Sequence, residues 1–267
     1  MKVLLTGAAG LIGMDFRPTL AKRGHKVVAC DITAFGRTDP ELRLMPLDER
    51  PRLQEPIVEE QIDAIIHCGA ISGLMLARGQ PLKLVAANID TTALLLDIAR
   101  EQELKRFVFC SSISVYGDVG AADITEATPL RPTSVYGATK VACEQLIQGF
   151  GVEYGLSGVS LRIGRVYGPY RRGNCHLNTL IRNSERGVET EIPCDPGFVY
   201  HYVYVDDVAE AIIAALEAPR LPHREYNIGS GEALTMPEII EAAVRAPGHE
   251  GAPDSRRRRR ARHPDRL

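Results

Sequence analysis

The chain has no tryptophan, few aromatic residues (6%) and no apolar run near the roughly 18–20 residues that a helix needs to cross a bilayer. A membrane-spanning helix is therefore not expected. The start does not read as a secretory leader either, because Met1 runs directly into the strand-like Lys2-Val3-Leu4-Leu5 with no charged segment ahead of an apolar one. Six cysteines, at 30, 68, 110, 143, 175 and 194, include no Cys-x-x-Cys pair, which leaves no start for a zinc site or a redox motif, and no metal is expected. Cys30, Cys68 and Cys110 each end an apolar run, where a free thiol behaves as a small hydrophobe. A reduced, cytoplasmic protein is the expectation. Charge of one sign is also scarce, with a formal net charge of −2, but it is unevenly spread: seven arginines against two aspartates lie between Asp254 and Leu267. The body is thus acidic, which argues against a nucleic-acid-binding core.

What is present is 45% hydrophobic residues over 267 positions, too apolar for a disordered chain and long enough for one core domain with a smaller lobe. Apolar runs at 2–6, 26–30, 63–68, 105–111 and 158–163 alternate with amphipathic stretches near 11–23, 51–61, 82–102 and 134–154. That is the rhythm of βαβ units around a parallel sheet covered on both faces. Past residue 164 the rhythm changes: a loop rich in Gly, Pro and Arg at 168–173, a helix near 176–186, a strand-like 198–205, a helix 206–218, a strand 225–229 and a helix from 236. Thr235-Met-Pro-Glu238 reads as a capping box. The expected class is α/β, a Rossmann-type doubly wound parallel sheet over 1–163 with a smaller C-terminal substrate lobe over 164–248.

Thr6-Gly7-Ala8-Ala9-Gly10-Leu11-Ile12-Gly13 follows the first strand and opens the first helix. Gly7 permits the tight turn, Gly10 lets a pyrophosphate approach the backbone, and Gly13 lets the helix pack against the strand. The phosphates would rest on the unpaired N–H groups of the helix start. The second strand ends at Asp31, whose carboxylate suits a ribose 2′-hydroxyl and repels a 2′-phosphate; Ile32, not Arg, follows it. NAD is therefore expected over NADP.

Tyr136-Gly-Ala-Thr-Lys140 opens the stretch 134–154, and i, i+4 spacing puts Tyr and Lys on one helical face. A phenol ordinarily titrates near 10, too high for a base at neutral pH, and an adjacent ammonium with a cationic nicotinamide favours the phenolate. Such a tyrosine can take a proton from a substrate alcohol while hydride leaves. Ser111-Ser112-Ile113-Ser114-Val115-Tyr116-Gly117 follows the fifth strand, at the sheet edge where ligands bind in open α/β folds.

With these residues in this order, the chain resembles the extended short-chain dehydrogenase/reductase family, in its NAD-dependent epimerase/dehydratase branch, over about residues 1–246. The resemblance implies bound NAD and a sugar or nucleotide-sugar substrate. It implies a catalytic Ser112, Tyr136 and Lys140. It places Gly7, Ala9, Gly10, Leu11, Ile12, Gly13, Asp31, Ile32 and Asp48 along the cofactor, followed by Cys68, Gly69, Ala70, Asn88, Cys110, Tyr136 and Lys140. Substrate contacts are expected at Ser72, Ser112, Ile113, Arg165, Asn174 and His201. Helices near 82–102 and 134–154 resemble the family's dimer-forming pair, so a homodimer is expected.

The departures bear on the reaction. Ile113 and Ser114 stand where the family's sugar dehydratases carry Asp and Glu, so water elimination is not expected. Arg165 stands where epimerases usually have Asn. Tyr200-His201 replaces an Arg-Asp pair whose Arg meets a nucleotide phosphate, which weakens the case for a nucleoside diphosphate. Arg165, Arg171 and Arg172 suit a carboxylate instead. The expected function is an NAD-dependent oxidoreductase or epimerase acting at a secondary alcohol carbon. Two alternatives are a sugar-acid or hydroxy-acid dehydrogenase and a non-catalytic NAD-binding sensor. Residues 249–267 read as a disordered Arg-rich tail. Either it is a natural basic tail or an altered reading frame truncates the lobe, and the second reading is favoured because core pattern and resemblance stop together.

Overall fold

The protein is described here by a computed structural model covering residues 1–72, 79–119, 124–171, 176–192 and 197–245. Near-continuous apolar runs become strands β1 (Lys2–Thr6), β2 (Lys26–Asp31), β4 (Ala64–His67), β5 (Arg106–Ser112) and β6 (Gly158–Ile163), with a short β3 (Leu42–Leu44) between β2 and β4. All pair in parallel, and β10 (Glu225–Ile228) joins them on the outer side of β6. The resulting order is β10-β6-β5-β4-β1-β2-β3. The chain winds outward from β1 to β3 and then returns to place β4 on the other side of β1. In open α/β sheets ligands bind at such a reversal, outside the strands' carboxyl ends.

Helices cover both faces. On one, α1 (Leu11–Lys22) and α7 (Val205–Glu217) bury Phe16, Leu20, Val208, Ile212, Ile213 and Leu216 against Val3, Leu5, Val108 and Val159. On the other, α2 (Arg50–Glu59), α4 (Thr91–Glu101) and α5 (Val135–Glu153) pack Leu53, Ile57, Leu95, Leu96, Cys143 and Ile147 against Leu4, Ile65, Phe107 and Phe109. The stretch expected as one helix over 82–102 is α3 (Pro81–Val85), a π-helical turn (Ala86–Asp90) and α4. Such turns insert a residue into the helical ladder and turn a side chain off its regular stripe; here that residue set contains Asn88.

Two compact units result. The first comprises the described residues of 1–171 with 201–233, the second those of 176–200 with 234–245. The first extends past the sequence boundary at 163 because β7 (Arg165–Tyr167), β9 (Tyr202–Tyr204), α7 and β10 return to the main sheet or its helices; β7 and β9 form a parallel pair of their own. The strand-like 198–205 is therefore split, with Val199–Tyr200 (β8) pairing antiparallel with Leu234–Thr235 (β11) in the second unit. That unit also holds α6 (His176–Glu185) and α8 (Met236–Arg245), and Glu238 accepts hydrogen bonds from the Thr235 N–H (2.8 Å) and hydroxyl (2.6 Å), the acidic half of the capping box. Among the described residues no helix is long and apolar enough to cross a membrane. Asn174, Arg172 and the segment 249–267 lie outside the described residues.

Candidate active site

The glycine loop between β1 and α1 is shaped by what a side chain would strike. Gly7 has φ +71°, and a Cβ on it would lie 2.5 Å from Gly69 N, where the loop meets the end of β4. A Cβ on Gly13 would lie 2.5 Å from Gly7 O, so helix and turn can pack only without one. At Gly10 the situation differs: the nearest atom to a Cβ is Gly7 O at 3.1 Å, and the space above is a cradle that any side chain would fill. Gly10 begins α1 with no side-chain cap and no acidic residue in the first turn, so the helix start offers its N–H groups and positive dipole end to an anion. Asp31, 5% exposed, braces this loop: its Oδ2 accepts from Ala9 N–H at 2.9 Å and its Oδ1 from Ile32 N–H at 2.7 Å. Ile32 itself is 60% exposed. A dinucleotide pyrophosphate fits this donor set, with the carboxylate of Asp31 at the ribose end.

Lys140 docks on the carboxyl-terminal part of β5. It is buried, its Nζ donates to the Cys110 carbonyl at 2.7 Å, and the ammonium lies 5.7 Å from the Tyr136 ring and 4.4 Å from that of Phe109. Ser134 caps α5 through the Gly137 N–H, which sets Tyr136 in the first turn and Lys140 in the next. Ser112 ends β5 and caps the short 3₁₀ turn Ile113–Val115: its Oγ accepts from Ser114 N–H at 3.2 Å and lies 2.8 Å from Ser114 Oγ.

Asn88 links the two halves of the site. Its Oδ1 accepts from Ile71 N–H (2.8 Å), and its Nδ2 donates to the Ile71 carbonyl (3.3 Å) and the Thr139 hydroxyl (3.0 Å), fixing the loop after β4 to the residue beside Lys140. Behind it, the Thr92 hydroxyl donates to the Asn88 carbonyl (2.7 Å) and so accepts from His67 Nε2–H (3.2 Å), leaving His67 Nδ1 to accept from Thr6 (2.6 Å). Burial, then the charge of Lys140, pushes His67 down to about 3, so it is neutral.

The structure thus brings together the glycine loop, Asp31, Cys68, Gly69, Asn88, Cys110, Ser112, Tyr136 and Lys140. Asp48 and Ser72 are exposed, and among the described residues no hydrogen bond joins either to this group. Arg165 stacks 6.0 Å from Tyr202, its N–H bonded to the His201 carbonyl at 2.8 Å. Not foreseen was a buried ionic network below Ser112. Glu144, one turn after Lys140, accepts from Ser111 and from Arg162 (2.8 Å), and Arg162 also donates to the Tyr116 hydroxyl (2.8 Å). An arginine inside an otherwise apolar strand at 158–163 was the visible signal for it. Among the described residues no group of His, Cys, Asp or Glu could hold a metal ion.

Comparison with known proteins agrees with this geometry. The family model for the NAD dependent epimerase/dehydratase family matches residues 3–229. A UDP-glucose 4-epimerase of Corynebacterium glutamicum is 30% identical, the match covering 93% of this chain and 81% of that one. The crystal structure of the Thermus thermophilus UDP-glucose 4-epimerase in complex with NAD superposes with a TM-score of 0.81 at 30% identity, over 91% of this chain and 82% of that one. The UDP-glucose 4-epimerase of Thermotoga maritima with UDP-glucose gives 0.85 at 26%, over 95% and 84%. A glycine cradle at a sheet reversal, a buried lysine one turn below a tyrosine and a family match across most of the chain converge on one conclusion. The chain belongs to the NAD-dependent epimerase/dehydratase family of extended short-chain dehydrogenases/reductases, enzymes whose cofactor is NAD.

Proposed function

We propose that the protein epimerises the C4 hydroxyl of a nucleotide-linked hexose, a UDP-hexose first among them, with Tyr136 as acid/base. The observation that carries this reading is the placement of Lys140: anchored on the Cys110 carbonyl, its ammonium sits beside the Tyr136 ring, at the strand ends where Ser112 stands. NAD, when bound, supplies a hydride acceptor that later returns the hydride. Tyr136, as the phenolate that the Lys140 ammonium beside it favours, takes the proton of the substrate hydroxyl and becomes the neutral phenol, while Ser112 holds the same oxygen. Tyr136 then gives its proton back to the same oxygen, so that one side chain serves as base and acid in turn. Ile113 and Ser114 offer no carboxyl group for water elimination, which favours epimerisation over dehydration.

The test incubates the protein with UDP-glucose and follows both UDP-galactose and the absorbance of reduced nicotinamide. Product without accumulating reduced cofactor is the expected result. Steady accumulation of reduced cofactor would instead identify a dehydrogenase, and turnover unchanged in Tyr136→Phe would remove Tyr136 from the reaction. A homodimer through α4 and α5 belongs to the same proposal and is checked by sedimentation. The free thiols of Cys30, Cys68, Cys110 and Cys143 support a reducing, cytoplasmic setting.

A further inference from the structure

We infer that Cys68 and Cys110 form an oxidisable dithiol under the cofactor cradle, one that takes a hydroperoxide as oxidant and closes to an intramolecular disulfide that loosens NAD. The ladder between β4 and β5 pairs His67 with Phe109, so the next residues, Cys68 and Cys110, stand opposite each other with both side chains toward the α1 and α7 face. Their sulfurs are 3.1 Å apart. Neighbouring strands lie about 4.8 Å apart, inside the Cα separation of about 4.4–6.8 Å that a disulfide spans. The sulfurs need to close by only about 1 Å to reach bonding distance. The other described thiols differ: Cys143 Sγ faces the Asn88 carbonyl (3.4 Å) and the Thr92 hydroxyl (3.3 Å), and Cys30 is packed in the apolar core around Leu4 and Leu53.

The chemistry balances with the peroxide alone. Cys68 is of intermediate burial where Cys110 is buried, and its sulfur, in the small fraction present as thiolate, attacks one peroxide oxygen; the S–O bond forms, the O–O bond breaks, and the leaving oxygen takes a proton as water or alcohol. The Cys110 sulfur then attacks the sulfenic sulfur; the S–S bond forms, the S–O bond breaks, and hydroxide leaves with the thiol proton as water. Two electrons pass from the sulfurs to the peroxide. The hydrogen bond to Cys110 and burial hold Cys68 well above the usual thiol range, with Lys140 of α5 opposing the rise and Asp31 of β2 adding to it. Bridging is accordingly slow at neutral pH and quickens as pH rises.

The consequence follows from what the two backbones carry. Gly69, directly after Cys68, is the surface against which Gly7 turns, and the Cys110 carbonyl is the anchor of Lys140. Drawing the two strand ends together shifts both supports of the site. The bridge does not depend on the proposed epimerisation; only its effect on the cofactor rests on that cofactor being NAD.

The test treats reduced full-length protein with hydrogen peroxide and digests it without reduction. The expected product joins the Cys68 and Cys110 peptides with loss of two hydrogens, is reversed by dithiothreitol, and is missing from Cys68→Ser and from Cys110→Ser. The NAD retained through gel filtration should fall several-fold on oxidation and recover on reduction. Oxidation of Cys68 to a sulfinic acid without the linked peptides would overturn the inference, as would a linked protein that retains its NAD unchanged. Because the linkage is read by mass, a protein that bridges but fails to epimerise counts against the proposed reaction and not against the dithiol.

Discussion

Ser112 Oγ accepts from the Ser114 N–H and lies within hydrogen-bond distance of the Ser114 hydroxyl. When that hydroxyl donates as well, both lone pairs of Ser112 are occupied and its own proton is directed outward, toward a substrate oxygen. Ser114→Ala removes one of the two donors, worth about 1 kcal/mol. The expected outcome is a kcat lowered about fivefold with KM little changed, and recovery in Ser114→Thr, which keeps the hydroxyl; steady-state kinetics on the three proteins checks it. Tyr136→Phe should cost far more, roughly 10²–10⁴-fold in kcat, the usual contribution of a positioned proton donor and acceptor. Of the proposed serine–tyrosine–lysine set, the sequence shows the Tyr136–Lys140 pair through its i, i+4 step and a hydroxyl cluster through the end of the fifth strand, while the choice of Ser112 within that cluster comes from the family resemblance. Ser114 is visible there as one hydroxyl of that cluster and as a missing carboxyl group, but its pairing with Ser112 is not, since a hydroxyl pairing across two residues has no spacing signature.

Between elements, Glu144 and Arg162 carry the contact of α5 with β5 and β6. Both are buried, and their ion pair at 2.8 Å extends to Ser111 on one side and Tyr116 on the other. Cys110 and Ser111, adjacent in β5, thus dock onto Lys140 and Glu144 on adjacent turns of α5, which fixes the height of α5 against the strand. Removing one member leaves the other charge buried alone, a loss of about 3–5 kcal/mol. Glu144→Gln is therefore expected to lower Tm by roughly 10 °C, read by calorimetry, whereas Glu144→Leu with Arg162→Met should regain much of it. Strands β3 and β7 escaped the sequence reading because three residues of edge pairing leave no apolar run. The π-helical turn at Ala86–Asp90 escaped because its residues still fall at helical spacing. What betrays it is Asn88, a buried amide in an otherwise apolar stripe, whose three bonds to Ile71 and Thr139 are long-range contacts and have no trace in local sequence.

For the whole molecule, the alternation of apolar runs and amphipathic stretches announced the doubly wound sheet, since a parallel sheet must be covered on both faces. The point where the chain returns to that sheet after Tyr200 was less visible, because β9 and α7 differ in no local property from elements of a separate lobe. Global stability carries the mark of His67. Unfolded, this imidazole binds a proton below its ordinary value of 6.5; folded, it resists one down to about 3, because it is buried first and faces Lys140 second. The contribution of His67 is thus flat above pH 6.5 and falls as pH drops toward 3, by about 2 kcal/mol at pH 5. Asp15 works the other way: burial, then the hydrogen bond and charge of Asp206, raise it to about 6, so it takes its proton more readily folded than unfolded. Urea midpoints between pH 7.5 and 5 should therefore drop more steeply in Asp15→Asn than in the parent protein, and less steeply in His67→Gln.

The outermost strand of the sheet has a further consequence, for the birth of the protein. β6 is buried along its whole length, yet its outer partner, β10, comes more than sixty residues later, at Glu225–Ile228. At a ribosomal pace of roughly 5–20 residues per second, that flank stays bare for several seconds on every nascent chain. An apolar, unpaired border is a template for any other strand that meets it, so the interval before β10 emerges is when the nascent chain is most open to wrong pairing.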